Sequence, residues 1–98
     1  MLTSKQRAAL RKLAAMEQPI FQIGKNGITD ETVKQIDAAL EARELIKLHI
    51  LETADCTPRE ASDALCAATG ADGVQVIGSK CVLYRRSEKR PRIELPRG

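Results

Sequence analysis

The sequence has very few aromatic side chains. It contains no tryptophan, and Phe21 and Tyr84 are its only phenylalanine and tyrosine. Proteins that read single-stranded bases usually stack those bases on several exposed rings, so extensive base stacking is largely excluded. Because 43% of the residues are hydrophobic, the chain still predicts a globular protein, with a core that is aliphatic and rich in alanine.

Cysteines are also few, and their spacing suits neither a metal site nor a disulfide framework. Cys56, Cys66 and Cys81 are odd in number and lie ten and fifteen residues apart, which matches no Cys-x-x-Cys zinc pair. We interpret them as free thiols in a reducing compartment. No apolar run has membrane-spanning length, and Met1 to Lys5 lack the apolar segment of a signal peptide. These absences predict a cytoplasmic protein without a membrane partner.

Residues that carry catalysis are scarce as well. His49 is the only histidine, and no serine, cysteine or carboxylate stands at a spacing typical of a catalytic triad or a metal site. The glycine patterns of Walker and dinucleotide-binding loops are absent. The sequence therefore predicts no catalytic residue, no metal, no cofactor and no small-molecule substrate. It indicates a binding protein rather than an enzyme.

The charges of the chain are divided along its length. At 98 residues it has the size of one domain, and its net charge is only +3. The first 29 residues carry a net charge of +4 and the last 26 carry +5, whereas residues 30–72 carry −6. A polyanion would prefer a surface on which the two basic ends meet. We therefore expect a single, monomeric domain over residues 1–98 with one binding surface.

Capping and turn signals predict seven secondary-structure elements. Three threonines mark helix starts: Thr3, Thr29 and Thr57. The predicted order is helix 1 from Thr3 to about Met16, a strand from Ile20 to Ile23, helix 2 from Thr29 to about Ala42 or Arg43, a strand from Leu45 to Leu51, helix 3 from Thr57 to Gly70, and two strands, Val74 to Ile77 and Cys81 to Tyr84, joined by a Gly78-Ser79 hairpin. This αβαβαββ order predicts an α/β (α+β) fold with a four-stranded mixed sheet, helices packed on it and right-handed crossovers.

The apolar spacing within each helix predicts which side chains are buried. The predicted buried stripes are Ala9, Leu10 and Leu13 in helix 1, Val33, Ile36, Ala39 and Leu40 in helix 2, and Ala61, Ala64, Leu65 and Ala68 in helix 3. In the strand that begins at Leu45, alternation predicts one wholly buried face, formed by Ile46, Leu48 and Ile50, and one partly buried face.

The loop Gly24-Lys25-Asn26-Gly27 is the central candidate for a binding site in this sequence. Glycines at both ends can take positive φ and allow another molecule to approach the backbone, while Lys25 supplies a positive charge. Loops of the GXXG kind clamp the nucleic-acid backbone in KH domains. Asp30 and Glu31 occupy the first turn of the following helix, so a phosphate seated over that helix terminus is disfavoured. The loop predicts phosphate contact through its own amides and Lys25, although its spacing alone is a weak signal.

Two further groups of basic residues extend the predicted RNA-binding site. The first helix carries cations and no acid, and a basic tail, residues 86–98, follows the last strand. The predicted contacts outside the loop are Lys5, Arg7, Arg11 and Lys12 in the helix and Arg85, Arg86, Lys89, Arg90 and Arg92 at the end of the chain. We expect the loop and both termini to share one side of the molecule. Ile93 and Leu95 allow the tail either to pack back as an edge strand or to stay mobile until it meets a partner.

These features together resemble the CRM domain, named for chloroplast RNA splicing and ribosome maturation. The likeness rests on the basic helix with Leu10 and Leu13, the strand and GKNG loop, the Glu44-Leu45-Ile46-Lys47 segment, the hairpin from Val74 to Arg85, and the closing Leu95-Pro96-Arg97-Gly98. Bacterial members are single-domain RNA-binding proteins of the YhbY type. The resemblance implies a fold similar to the C-terminal domain of translation initiation factor three, and association with ribosomal RNA in precursors of the large (50S) subunit. It also implies RNA contact at Gly24, Lys25, Asn26 and Gly27 and at the basic helix.

A second interpretation is a protein-interaction module. In this alternative, the acidic middle of the chain docks a basic ribosomal protein or assembly factor, and any contact with RNA is incidental. Binding of purified RNA would separate the two hypotheses.

Overall fold

A computed structural model describes residues 2–97 of the chain. The elements are α1 (Ser4–Ala14), β1 (Phe21–Ile23), α2 (Asp30–Arg43), β2 (Leu45–Ile50), α3 (Pro58–Thr69), β3 (Asp72–Ile77) and β4 (Lys80–Tyr84). This confirms the αβαβαββ order and the mixed sheet. The predicted limits need small corrections, because α1 ends two residues early and β3 begins two residues early. Met1 and Gly98, the ends of the predicted domain and tail, lie outside the described residues.

Each helix begins at a predicted threonine cap. Thr3 and Thr57 form complete capping boxes, since each hydroxyl accepts from the amide three residues on and each backbone amide donates to the Gln6 or Glu60 side chain. Thr29 accepts from the Thr32 amide at 3.1 Å. The caps satisfy amides that have no partner inside the helix, which is why short polar signals locate these starts so well.

The sheet has the strand order β1-β2-β4-β3. β1 runs parallel to β2, and the other two pairings are antiparallel. β1 and β2 therefore end at one edge of the sheet, which we call the loop edge because the Gly24–Gly27 loop leaves it. The β3–β4 hairpin turns at the same edge, where Ile50 donates to the Ser79 carbonyl at 2.7 Å. At the opposite edge, the tail edge, β2 begins and β4 ends.

Helices cover the two faces of the sheet unequally. The main core joins α2 and α3 to Ile23, Ile46, Leu48, Ile50 and the inward side of β4. On the other face, Leu10 and Ala14 of α1 pack against a smaller set of buried residues: Leu45, Val74, Val82 and Tyr84. Most of this second set belongs to the tail-edge half of the sheet. α1 thus covers half of that face and leaves the half near the loop edge without a helix.

Two predicted buried stripes are wrong in part. In α3 the buried side chains include Ser62 and Thr69, whereas Ala64 and Ala68 are exposed. Alanine is apolar but small, so it favours a helix without indicating which face of the helix is buried. Thr69 can be buried because its hydroxyl donates to the Leu65 carbonyl at 2.7 Å. In α1, Ala14 is buried and Leu13 is 45% exposed, because the helix stacks on the sheet through positions four residues apart.

The segment that follows β4 packs back on the domain without forming a strand. Ile93 and Leu95 lie against the smaller core beside α1, and the Gln6 side chain donates to the Pro96 carbonyl at 3.0 Å. The carboxylate of the buried Glu44 accepts from the Ser87 and Ile93 amides at 2.8 Å each, and also from the Arg92 amide. The tail is therefore an irregular, side-chain-anchored segment rather than an edge strand.

Candidate nucleic-acid interface

The Gly24–Gly27 loop is a tight turn at the loop edge. The Gly27 amide donates to the Gly24 carbonyl at 2.9 Å, which leaves Lys25 and Asn26 exposed at the corner. Only Gly27 takes a positive φ, +66°. At Gly24 the constraint is one of space, since a Cβ there would make a tight contact of 3.3 Å with Leu51 Cδ1. Of the two positions that can take positive φ, the turn uses only Gly27, while the lack of a Cβ at Gly24 allows close packing.

The turn is anchored on both sides. Before it, the Leu51 amide donates to the Ile23 carbonyl at 2.8 Å and continues the β1–β2 pairing. After it, Ile28 and Val33 pack against the main core on either side of the α2 cap. Among the described residues, no hydrogen bond engages the amides of Lys25 or Asn26. The turn therefore presents two amides and one ammonium group from a fixed base.

α1 carries its cations on the face of the sheet opposite to α2, over the half that is near the tail edge. Lys5, Arg11 and Lys12 are exposed, whereas Arg7 is half-buried and reaches a groove that it shares with Arg59 of α3 and the edge strand β3. The Nε atom of Arg7 is buried and has no hydrogen-bond partner within residues 2–97. The three exposed cations are free to face solvent, and Arg7 belongs partly to the packing of the helix.

Arg85 ties the middle of α2 to the end of α3. Its guanidinium donates to the Asp37 carboxylate, to the Asp37 carbonyl at 3.0 Å and to the Thr69 carbonyl at 2.7 Å, and its side chain is 21% exposed. It links α2 to the last turn of α3, where a cation also suits the helix dipole. The guanidinium of Arg85, a predicted RNA contact, therefore already makes three hydrogen bonds within the fold.

The other tail cations, Arg86, Lys89, Arg90 and Arg92, are exposed at the tail edge. Their backbone is held by two acidic side chains. Besides the bonds to Glu44, the Glu41 carboxylate accepts from the Ser87 hydroxyl and from the Glu88 amide at 3.1 Å. Burial alone would raise the pKa of Glu44, but its bonds to three amides and the nearby Arg86 outweigh burial and lower that pKa. The hydrogen bond from Ser87 is the main reason that the pKa of Glu41 is also lowered.

The loop and the tail lie at opposite edges of the sheet. The loop follows Ile23, which pairs with Ile50 at the end of β2, whereas the tail follows Tyr84, which pairs with Leu45 at its start. Five residue steps along a strand span about 17 Å. The expectation that loop, first helix and tail form one continuous side is therefore corrected: the helix and tail adjoin each other, and a stretch of sheet separates them from the loop.

That intervening stretch carries polar side chains that the sequence analysis did not assign to the site. His49 pairs with Gln22 of β1 on one side and with Lys80 of β4 on the other, so the three residues form a row across the sheet. Lys47 lies on the same face two residues earlier. We call the set Gln22, Lys47, His49, Ile77 and Lys80 the open half-face. Alternation in Leu45–Ile50 indicated that Lys47 and His49 share a face, but strand order was needed to bring Lys80 beside them.

The thiols are structural. Cys81 is fully buried in the main core, where burial raises its pKa to about 12. Burial also raises the pKa of Cys66, and Cys56 packs against the same core. In the part of the chain that the structure describes, no three His, Cys, Asp or Glu side chains are grouped to hold a metal ion. Over the same residues, no helix is long and apolar enough to cross a membrane.

Comparison with known proteins agrees with this architecture. The family model of the CRS1 / YhbY (CRM) domain matches residues 2–85. The chain belongs to the CRM-domain family. The solution structure of SAV1595 from Staphylococcus aureus, another chain with this fold, is 51% identical to it with a TM-score of 0.81, over 98% of this chain and all of that one. The matched range of the CRM domain ends at Arg85, where β4 gives way to the tail.

Relatives of this CRM domain are named for RNA binding. The "Probable RNA-binding protein YqeI" of Bacillus subtilis is 45% identical over 96 residues, covering 98% of this chain and all of the relative. An "RNA-binding protein" of Haemophilus influenzae is 38% identical over 96 residues, covering 98% and 96% of the two chains. These names of the relatives agree with the predicted class of partner.

Proposed function

We propose that this CRM domain binds ribosomal RNA or its precursor in the cytoplasm during assembly of the large ribosomal subunit, with the Gly24–Gly27 loop as its central contact. The observation that carries the proposal is the exposed corner Lys25-Asn26, whose amides are unpaired among the described residues and whose two ends are anchored. Unpaired amide donors beside a cation are suited to phosphate oxygens.

The loop would recognise the RNA backbone rather than a nucleotide pocket. Asp30 and Glu31 lie in the first turn of α2 beside the loop, so a phosphate is expected to sit on the outer side of the turn, away from these carboxylates. The exposed cations of α1 would add a second contact beyond the stretch of sheet that separates them from the loop. We assign the tail cations a secondary role, because they lie at the opposite edge.

The test compares the same charge reversal at the two edges. We expect Lys25→Glu to weaken binding to a fragment of large-subunit ribosomal RNA about tenfold or more, since a phosphate contact becomes a repulsion, and Lys89→Glu to change affinity about threefold or less. Both lysines are exposed, and neither side chain has a hydrogen bond within residues 2–97, so both variants should fold normally. Fluorescence anisotropy gives the affinities, and circular dichroism checks the fold.

Three outcomes would contradict the proposal in different ways. Equal affinity of Lys25→Glu and the wild type would remove the loop from the site. A larger loss in Lys89→Glu would move the main contact to the tail edge. A wild-type protein that bound no ribosomal RNA, yet sedimented with large-subunit precursors through a ribosomal protein, would favour the protein-interaction alternative.

A further inference from the structure

The open half-face is formed by paired side chains of the sheet between the loop and α1. His49 stands in the middle of the sheet row, with Gln22 and Lys80 as its direct cross-strand partners. Side chains at directly opposite positions in a sheet lie about 5 Å apart at Cβ. Lys47 follows toward α1, where its cross-strand partner Val82 belongs to the smaller core. The open half-face thus extends from the end of β1, where the loop begins, to the part of the sheet that α1 covers.

The surface is accessible and positively charged. His49 lines an open groove with residues 19–22, and Ile77, which pairs with Lys80, is 56% exposed. The set contains two lysines and no acid. Within residues 2–97, no hydrogen bond or ion pair engages the side chains of Lys47, His49 or Lys80. An anion can therefore approach both ammonium groups without displacing an internal partner.

We propose that the open half-face holds one unpaired nucleotide of the RNA, with its base stacked on the His49 ring and its flanking phosphates on Lys47 and Lys80. The inference rests on the proposed function and extends it from the backbone to a base. Imidazole is among the rings on which unpaired RNA bases stack. The two lysines lie on either side of His49, one along β2 and one across the pairing, which suits a phosphate before the base and another after it.

The open half-face offers a single ring for stacking an RNA base. Phe21 packs against the main core and Tyr84 is buried in the smaller one, so neither ring is offered for stacking on this face. A single imidazole can stack one base. In a duplex the bases are already stacked on each other and their faces are covered, so the surface selects an unpaired position next to the backbone segment gripped by the loop.

The experiment separates the ring from the charges. Against an oligouridine of about 12 nucleotides, we expect His49→Ala to weaken binding about tenfold and His49→Phe to stay within about twofold of wild type. Lys47→Gln and Lys80→Gln should each weaken binding and reduce the magnitude of the slope of log K against log salt by about 0.7. Lys34→Gln is the control, because Lys34 is an exposed lysine of α2 on the opposite face of the sheet.

Inorganic polyphosphate serves as a second probe that has the charges without the bases. We expect His49→Ala to bind polyphosphate as tightly as the wild type does, and the two lysine variants to bind it less tightly.

Equal losses of oligouridine affinity in His49→Ala and His49→Phe would overturn stacking. If Lys25→Glu loses RNA in the same assay while the three open half-face positions have no effect, the half-face is not a binding surface and the loop proposal survives. If Lys25→Glu also has no effect, the proposed function fails as well.

Discussion

Glu44 has a role that its neighbours in the sequence do not indicate, because its hydrogen-bond partners lie more than 40 residues away in the tail. It lies between α2 and β2, is fully buried and is the only residue other than glycine with a positive φ, +67°, among those described. Such a backbone conformation is unfavourable for a side chain with a Cβ. The carboxylate accounts for its presence, since it accepts three backbone amides of the tail. A charged group is thus buried because it fixes the course of the last residues.

Replacing Glu44 should therefore loosen the tail and destabilise the domain. We expect Glu44→Gln to lower the free energy of unfolding by about 1–3 kcal/mol, because an amide cannot accept from all three donors and presents a donor of its own to one of them. Glu94→Gln is the matched control, since Glu94 is an exposed carboxylate in the same segment. Urea unfolding at neutral pH measures both, and equal stability of the two variants would show that the buried bonds contribute nothing.

The pH dependence of stability gives the same carboxylate a second signature. Its pKa is lower in the folded protein than the ordinary value of 4.5. The ionised form is therefore favoured by folding, and its contribution is complete above pH 4.5 and is lost as the pH falls through the folded pKa. The stability difference between wild type and Glu44→Gln should be constant from pH 5 to pH 7 and shrink in more acidic buffer. A difference that grew on acidification would contradict the assignment.

At the scale of elements, the β1–α2 connection combines a tight turn with firm anchors. The hydrogen bond across the turn, the Thr29 cap and the packing of Ile28 and Val33 all restrict it. At Gly27 a substitution tests the backbone conformation alone, because φ is positive there and nothing lies within 4 Å of an added Cβ. Any effect of a substitution there therefore reports φ rather than a clash.

We expect Gly27→Ala to lower stability by about 1–2 kcal/mol, the usual cost of placing a Cβ in the left-handed region. Asparagine tolerates this region better, so Gly27→Asn should lose clearly less stability and is the matched comparison. Urea unfolding of the three proteins makes the measurement. If alanine and asparagine were equally harmless, the turn would have to adopt another backbone conformation at Gly27.

At the scale of the whole molecule, charge is divided between the two faces of the sheet. α1 carries four basic residues and no acid, and the open half-face beside it carries two lysines. α2 and α3, on the other face, carry six acidic residues against three basic ones, within a segment, residues 30–72, whose net charge is −6. A polyanion approaching in solution is therefore attracted to one face and repelled by the other.

This division predicts a strong dependence of RNA binding on salt. If about five cations contact phosphate, log K should fall with log salt at a slope of about −3.5 to −4.5, for single-stranded and duplex RNA respectively. Affinity measured from low to moderate sodium chloride gives the slope, and Lys34→Gln should leave it unchanged because Lys34 lies on the acidic face. A flat response would refute recognition of the backbone.

Local signals in the sequence determined the helices, the turn and the class of partner. Caps at Thr3, Thr29 and Thr57 act within one turn of helix, and Gly27 acts on its own backbone, so neighbouring residues suffice to read them. Strand pairing joins residues far apart in the chain, and only the tertiary structure could decide it. That pairing placed the tail opposite the loop, bound Arg85 into the fold, and brought Lys80 of the last strand beside His49. Local spacing in the sequence could not show these contacts, because contacts between distant segments depend on the order of the strands.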